Sequence, residues 1–356
     1  MSPDRSVMRR RVLLVAAVSA TCVLVPVSTA TAAAPASVHT RPEQHTVDSA
    51  ELAPGLYQSA YSARNNSLWV TSAVGFPPVT QSQLLKVDPR SLKVTAAFEP
   101  PVTDAATGAR EAVYGVAVDD EHNTVWTTNT VDNSLAVYSQ RTGRHLATVP
   151  GVKHPRDVFV DARRNLVWTS GLEDGSIVAF DTRTHQEKKR ITVPGAAPAG
   201  LAVDTHTGTV LAADLANSRL IVIRPGAGTP TFVTVGQGAI DVALSPDGTT
   251  AYTANQGAGS VSVVDLRAGV VRKEIPTGAG SLAVATDDRT GHVFVANRGS
   301  GTTTVVDPCK GTVIVDLPTG ANTNHVALHR GTAYVVDKAA AGAAALDSIH
   351  RIRTTG

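Results

Sequence analysis

Short apolar runs, each flanked by Gly, Pro or Asp, recur along the chain. Residues 115–119 (GVAVD) are followed by 125–129 (VWTTN), and residues 157–161 (DVFVD) are followed by 167–170 (VWTS). Such runs are rich in Val and Thr and are bounded by turn formers, which is the pattern of β-strands. They show little alternation of polar and apolar residues, as expected of strands buried on both faces. The pattern predicts an all-β protein.

One large residue marks the second strand of every pair, and it recurs at a nearly constant interval. After a first interval of 57 residues, successive copies lie 42, 43, 41, 42 and 40 residues apart. A third and a fourth run, as in 260–265 and 273–278, complete each unit. Four short strands in a unit of this length are typical of a propeller blade, so seven copies predict a seven-bladed β-propeller. The large residues, which include every tryptophan of the chain, are Trp69, Trp126, Trp168, Leu211, Tyr252, Phe294 and Tyr334.

The last unit lacks a fourth strand. Residues 348–356 align with the third strand of the unit at 260–269, and the sequence ends there. Upstream of the first unit, residues 50–55 (AELAPG) have the form of a fourth strand and its terminal glycine. We therefore expect an N-terminal strand to complete the last blade and close the ring, which would also cover an exposed sheet edge.

The N-terminus has the three parts of a secretory signal peptide. Three arginines at 9–11 precede an apolar run at 12–27, and small residues follow at 28–34. The sequence therefore predicts a signal peptide over 1–34, with the cut between 32 and 36, and a single propeller over 35–356. A membrane anchor is the alternative, but Pro26 interrupts the run, which is shorter than the ~20 residues of a span. We expect a secreted or cell-envelope monomer with no membrane span, by the Sec or the twin-arginine route.

The net charge and the cysteine content are different when the predicted signal peptide, 1–34, is left out. The whole chain has a formal net charge of +2 and a pI near 8.6, values that suggest nucleic-acid binding. Residues 1–34 contain four arginines and one aspartate, so the remainder carries −1 rather than +2. Cys309 is then the one cysteine left, and no internal disulfide is expected.

Several units resemble a known repeat. The strings at 251–255 (AYTAN) and 293–297 (VFVAN), each followed by a valine-rich strand ending in Asp, resemble the YVTN repeat, as does the turn at 244–248 (LSPDG). The chain resembles the secreted YVTN-repeat, YncE-like propellers over its mature length. The resemblance implies the fold but not one function, since similar proteins include nucleic-acid binders, cell-surface binding proteins and, more distantly, lactonases, streptogramin lyases and amine dehydrogenase subunits.

Departures from the repeat length point to one face of the ring. Extra residues fall at 75–78, around 99–112 and at 339–345. In a four-stranded meander all three lie on the same face, in blades seven and one and at the step to blade two. Loops vary with function more often than scaffolds do, so this sector is predicted to form the mouth of a site. Drift in tolerant loops near the chain ends is the alternative.

Polar residues at two repeat positions are predicted to surround the central channel on that face. One position begins the first strand and the other ends the second strand, and four neighbouring residues join them. The alternative for the second position is that Asn and Asp bond their own turn backbone. The predicted ligand-binding residues are Gln58, Asp157, Asp241 and His325 at the first position, Asn129, Asn255, Asn297 and Asp337 at the second, and Tyr114, His154, Arg156 and Asn324 beside them.

Catalytic motifs are missing from the sequence. It contains no G-x-S-x-G, H-E-x-x-H or C-x-x-C. His325 with Asp157 or Asp241 is a possible metal-ligand set, and a calcium site of carboxylate and amide oxygens is another. The first-strand residues Gly115, Gly200 and Ser281 leave three blades without an ionisable group there.

The first interpretation is therefore a non-catalytic propeller without a cofactor. It would bind a small molecule, or an extracellular or cell-envelope protein, at the channel mouth. The alternative is a metal-dependent channel enzyme, lactonase- or lyase-like. Nucleic-acid binding is the third hypothesis.

Overall fold

The computed structural model describes residues 44–338 and 345–355 of the 356-residue chain. The predicted signal peptide at 1–34 and residues 339–344 of the third insertion lie outside the described residues. Within those ranges the chain forms seven antiparallel four-stranded sheets and one two-stranded sheet. Apart from a single 3-10 turn at Ala162–Arg164, the described residues form no helix, so none of them lies in a helix that could cross a membrane. The all-β prediction is confirmed.

The strands follow the chain blade by blade. The N-terminal strand and the first two blades, with a small hairpin between them, are β1 (Gln44–Ala53), β2 (Leu56–Ser62), β3 (Ser67–Val74), β4 (Gln81–Val87), β5 (Val94–Phe98), the hairpin β6 (Val102–Asp104) and β7 (Ala109–Arg110), β8 (Val113–Asp119), β9 (Thr124–Asn129), β10 (Ser134–Ser139) and β11 (His145–Pro150). Blades three and four are β12 (Pro155–Asp161), β13 (Leu166–Gly171), β14 (Ser176–Asp181), β15 (Glu187–Thr192), β16 (Pro198–Asp204), β17 (Thr209–Asp214), β18 (Arg219–Ile223) and β19 (Thr231–Thr234). Blades five to seven are β20 (Ala239–Leu244), β21 (Thr250–Asn255), β22 (Ser260–Asp265), β23 (Val270–Pro276), β24 (Ser281–Thr286), β25 (Val293–Asn297), β26 (Thr302–Asp307), β27 (Thr312–Pro318), β28 (Thr323–His329), β29 (Thr332–Asp337) and β30 (Asp347–Thr355).

The first strands of the blades surround a central channel. Strand β2 contacts β8, β8 contacts β12, and the series continues through β16, β20 and β24 to β28, which contacts β2 again. The seven sheets therefore form a closed ring. The seven-bladed propeller predicted from the repeat is confirmed.

Blade seven is closed by the N-terminal strand. Its sheet has the order β1-β30-β29-β28, with Gln44 opposite Thr355 in an antiparallel pair. Arg351 and Arg353 both donate hydrogen bonds to the Asp48 carboxylate, at 2.7 and 3.0 Å. The predicted closure is confirmed, and it begins six residues earlier than the 50–55 segment that predicted it.

The large residue of each second strand packs between two neighbouring blades. Trp126 lies in one apolar cluster with Leu135 of its own blade and Val167 and Val178 of blade three. All seven large residues are buried. Replacing such a residue by alanine typically costs about 3–5 kcal/mol, so these contacts contribute much of the adhesion between blades.

Aspartates at the ends of third strands fix the turns that follow. Asp181 accepts hydrogen bonds from the backbone N–H groups of Arg183 and Thr184, at 3.0 and 2.8 Å. Asp265 does the same for the corresponding turn of blade five. These backbone donors lower the pKa of Asp181 to about 2. The recurrence of Asp in the repeat thus has a local structural cause.

Candidate functional site

Every first strand has a β-bulge where it enters the channel. The pairing register shifts between Leu56 and Ser59 in β2, and equivalent shifts occur in the other six first strands. A bulge re-aims side chains, and this one brings two consecutive residues to the channel in six of the seven blades. Those pairs are Tyr57–Gln58, Tyr114–Gly115, Arg156–Asp157, Ile240–Asp241, Leu282–Ala283 and Asn324–His325. In blade four Gly200 lines the channel, whereas Ala199 is buried.

This register corrects one predicted position. Asp241 is paired with Ala254, and its equivalent in blade six, paired with Ala296, is Ala283. Ser281 was predicted to hold that position, but it lies two residues earlier and is buried. The prediction was wrong because Ser281 and Asp241 each precede a similar apolar triplet, so the sequence aligns them. The β-bulge that offsets the two residues in the sheet leaves no mark in that alignment.

The carboxylates of Asp157 and Asp241 link neighbouring blades. Asp157 accepts a 2.7 Å hydrogen bond from the backbone N–H of Leu201 in blade four, and Asp241 accepts one of 2.9 Å from Val284 in blade six. The other oxygen of each carboxylate accepts the N–H of the next residue in its own strand. Both oxygens of both side chains therefore accept hydrogen bonds from the channel wall.

Gln58 and His325 make the same kind of link. The Gln58 side-chain oxygen accepts a 3.2 Å hydrogen bond from Val116 N–H in blade two. His325 Nδ1 accepts one of 3.3 Å from Ser59 N–H in blade one, across the ring closure. We call Gln58, Asp157, Asp241 and His325 the waist, because all four line the cavities on both sides of them along the channel.

Small residues alternate with the waist residues around the ring. Gly115, Gly200 and Ala283 hold the waist position in blades two, four and six. A Cβ atom on Gly200 would lie 2.1 Å from Asp241 Oδ1 and 2.6 Å from Asp241 Cα, so the glycine makes room for the carboxylate. Seven is an odd number, so the alternation fails once, where His325 of blade seven adjoins Gln58 of blade one.

The pKa values of the titratable waist residues are shifted from their usual values. Burial raises the pKa of Asp241 to about 8, and the neighbouring Asp157 carboxylate adds to the shift. Burial likewise raises the pKa of Asp157. It lowers the pKa of His325 to about 4. His325 is therefore neutral at pH 7, and because Nδ1 accepts a hydrogen bond, its proton lies on Nε2.

A cavity of about 590 Å³ lies above the waist, on the face where the second and third strands connect. We call it the mouth cavity. The rings of Tyr57 and Tyr114 form one wall, with centroids 4.3 Å apart and planes at 71°. Phe76, from the β3–β4 loop, lines the same side with 90% of its surface exposed. Ile240 and Leu282 form an aliphatic wall in blades five and six.

Arg156 lines this cavity and has no partner among the residues that the structure describes. Its guanidinium makes no hydrogen bond or ion pair with any residue at 44–338 or 345–355, although it is half-buried. Burial lowers the pKa of Arg156. The charges of Asp157 and Asp241 oppose that shift, and the charge of Arg298 adds to it.

Two more cationic groups lie beside Arg156. Arg298 lines the cavity and donates through Nε to Asn322 Oδ1. The Lys338 ammonium lies over the Tyr57 ring, 3.2 Å from its centroid, and burial lowers the pKa of Lys338 to about 8. At the rim, His154 Nδ1 lies 3.3 Å from Glu173 Oε1, and both side chains are exposed.

The structure brings eight of the twelve predicted residues to the mouth cavity and leaves four outside its lining. Asn129, Asn255 and Asn297 are buried, and each donates through its amide to the first side chain of the following third strand. Asp337 accepts the backbone N–H of Asn322. The eight that line the cavity are Gln58, Tyr114, His154, Arg156, Asp157, Asp241, Asn324 and His325.

The insertions contribute unequally. The loop at 75–78 places Gly75, Phe76 and Pro77 on the cavity, whereas the hairpin β6–β7 in the second insertion does not line it. Sequence reasoning missed Tyr57 and Arg298 as lining residues. Both are sequence neighbours of predicted residues: Tyr57 precedes Gln58, and Arg298 follows Asn297.

Two further depressions lie apart from the mouth cavity. Below the waist, a cavity of about 390 Å³ is lined by the first strands of the blades. On the opposite face, a depression of about 660 Å³ is lined by Arg64, Arg141 and Arg144 of blades one and two. Across the described ranges, no group of three or more His, Cys, Asp or Glu side chains is arranged to hold a metal ion.

Comparison with known proteins adds the fold and no activity. No family model matches the sequence, and no curated protein matches it. A solved structure of a streptogramin B lyase is similar, with a TM-score of 0.69 over 87% of this chain and 98% of that chain, at 13% sequence identity. At that identity the similarity concerns the fold alone, and 1582 solved chains match, so it does not select a function. The chain is a seven-bladed β-propeller whose fold is similar to that of the streptogramin B lyase.

Proposed function

We propose that this protein is a non-catalytic propeller that binds a small organic molecule in the mouth cavity. The observation that carries the proposal is the lining of that cavity, where an aromatic wall, an aliphatic wall and Arg156, which has no partner among the described residues, converge. Ligand sites are typically concave, largely apolar and supplied with a few convergent polar groups, and 590 Å³ lies within their usual size.

The waist supports binding over catalysis. Asp157, Asp241 and His325 are the residues on which the metal-dependent alternative depends. Both oxygens of the two carboxylates accept backbone N–H groups, and His325 Nδ1 accepts Ser59 N–H. These side chains join blades, so the lactonase- or lyase-like alternative gains no support from them.

The sequence supports a location outside the cytoplasm. The arginine and apolar segments at 9–27 favour export, and the YVTN-like strings at 251–255 and 293–297 are similar to those of exported propellers. We propose an exported monomer whose mouth cavity is open to the surrounding medium.

A thermal-shift screen of a small-molecule library tests the proposal, followed by retesting of every hit on two variants. Phe76→Ala removes an aromatic side chain of the cavity rim. Phe232→Ala is the matched control, since Phe232 is 45% exposed on strand β19, away from the channel. A ligand at 100 times its Kd stabilises the folded state by about 2.7 kcal/mol, which a melting scan resolves.

The expected result is a set of hits that stabilise the wild type and Phe232→Ala alike and that bind Phe76→Ala more weakly. Hits that stabilise all three proteins equally would place their binding elsewhere on the molecule. A broad library that yields no hit would also contradict the proposal.

A further inference from the structure

The half-buried charge of Arg156 costs free energy, and a bound anion would reduce that cost. Its guanidinium is half-buried and makes no hydrogen bond or ion pair with a described residue. A cation removed from water without a partner costs free energy, and arginine in particular offers a planar fork of donors. Arg156 lines the mouth cavity, where a ligand would lie.

The neighbouring carboxylates do not fill that role. Asp157 and Asp241 influence the charge of Arg156 through space, yet their oxygens accept N–H groups of the channel wall at 2.7 to 2.9 Å. A swing of either carboxylate toward the cavity would leave buried backbone donors unpaired, which is costly. The guanidinium therefore has no partner among residues 44–338 and 345–355, and a bound ligand could pair with it.

Positive charge accumulates around the same point. Arg298 uses Nε for Asn322 and has no bond from its terminal nitrogens to a residue at 44–338 or 345–355. Lys338 lies over the Tyr57 ring, which forms part of the cavity wall. The carboxylate of Glu173 is at the rim and mostly exposed, so water and salt screen its charge from the interior of the cavity.

We propose that the ligand of the mouth cavity is an organic anion, whose carboxylate or similar oxyanion pairs with Arg156 while an apolar ring lies between Tyr114 and the Ile240–Leu282 wall. This inference rests on the proposed function and specifies its ligand class. A guanidinium and a carboxylate form two parallel charge-assisted hydrogen bonds, a geometry that a neutral amide does not reproduce. Tyrosine rings supply flat contact surface for an apolar body.

Two matched probes test the ligand class. One is 3-phenylpropanoate and the other is its neutral analogue 3-phenylpropanamide, each titrated into the full-length exported protein and followed by ligand-observed NMR. A ligand of about eleven non-hydrogen atoms is expected to bind in the millimolar range. We expect the acid to bind at least about tenfold more tightly than the amide, the ratio typical of one charge-assisted interaction.

Two variants locate the discrimination. Arg156→Gln removes the cation without breaking any hydrogen bond of the described structure, and it should reduce the acid-to-amide ratio to about twofold or less. Arg141→Gln is the matched control, because Arg141 lines the depression on the opposite face, and it should leave the ratio unchanged. Circular dichroism of both variants checks that they fold.

Each remaining outcome overturns the inference. Equal binding of acid and amide would show that the cavity takes ligands without preferring an anion, and the proposed function would stand. A preference for the acid that survives Arg156→Gln, or that disappears in Arg141→Gln, would place the anion elsewhere. Failure of both probes with the wild type would also overturn it, whereas the library screen decides the proposed function separately.

Discussion

Replacement of Gly200 by alanine tests the alternation of large and small residues around the waist. The new methyl group would lie 2.1 Å from Asp241 Oδ1 and 2.6 Å from Asp241 Cα, well inside contact distance. Rotation of the Asp241 side chain would relieve only the first clash, because the second involves backbone. That rotation also breaks the Asp241 link to Val284 N–H in blade six, and blades four and five must still move apart to relieve the second clash.

The magnitude follows from these two effects. A buried N–H left unpaired costs about 1–3 kcal/mol. Overpacking that shifts backbone costs about 1–3 kcal/mol more. We therefore expect Gly200→Ala to lower the free energy of unfolding by about 2–6 kcal/mol. For a domain of this size that corresponds to a fall of about 3–9 °C in the melting temperature.

The measurement is calorimetry or circular dichroism melting of Gly200→Ala beside Gly228→Ala. Gly228 is the matched control, because no atom lies within 4 Å of a Cβ built there and its backbone φ is one that alanine adopts. We expect the control to differ from the wild type by less than about 1 kcal/mol. Equal melting of the two variants would refute the close packing of the waist.

Three further predictions concern the ionisable groups of the channel. His325 has a pKa lowered from 6.5 to about 4, so its contribution to stability is complete above pH 6.5 and is lost as the pH falls toward 4. In denaturant unfolding, the free energy of unfolding of the wild type should therefore fall by up to about 3 kcal/mol over this range, and that of His325→Gln should not. The variant of an exposed histidine, His206→Gln, should behave like the wild type. Asp241 has a pKa raised from 3.8 to about 8, so its contribution to stability is complete below pH 3.8 and is lost as the pH rises through 8. In the same assay, Asp241→Asn should therefore lose less stability than the wild type between pH 5 and pH 9. Parallel pH profiles of the two proteins would contradict the raised pKa of Asp241. Arg156→Gln should melt within about 2 °C of the wild type or above it, since it removes no bond to a residue that the structure describes. A fall comparable to that of Gly200→Ala would show a structural role.

The ring was predictable from the sequence because its determinants are local and repeated. The large residue at Trp69, Trp126 and their equivalents has to fill the same gap between blades, so its spacing records the blade length. Closure by the N-terminal strand was predictable too, since a missing fourth strand at one end and a spare strand at the other have one simple solution.

The waist was not predictable in the same way. Gln58, Asp157, Asp241 and His325 stood out as polar residues at a repeat position, but each one bonds to the backbone of the next blade, some 40 residues or more along the chain. That partner is set by the curvature of the ring and by bulges that shift the register by a residue. The same bulges hid Tyr57 as a lining residue and produced the wrong equivalence for Ser281.

Exposure was equally hard to predict for the second repeat position. Three buried asparagines were candidates for the channel: Asn129, Asn255 and Asn297. Their amides instead donate hydrogen bonds to the hydroxyl groups at the start of the following strands. In sequence these asparagines look the same whether they bond their own turn or a ligand.

The most direct test of ligand binding in the mouth cavity is a crystal structure of the protein soaked with 3-phenylpropanoate. We predict the phenyl ring between Tyr114 and Leu282 and the carboxylate within about 3 Å of the Arg156 guanidinium. An empty mouth cavity, with the compound bound instead beside Arg141 and Arg144 on the opposite face, would contradict the account.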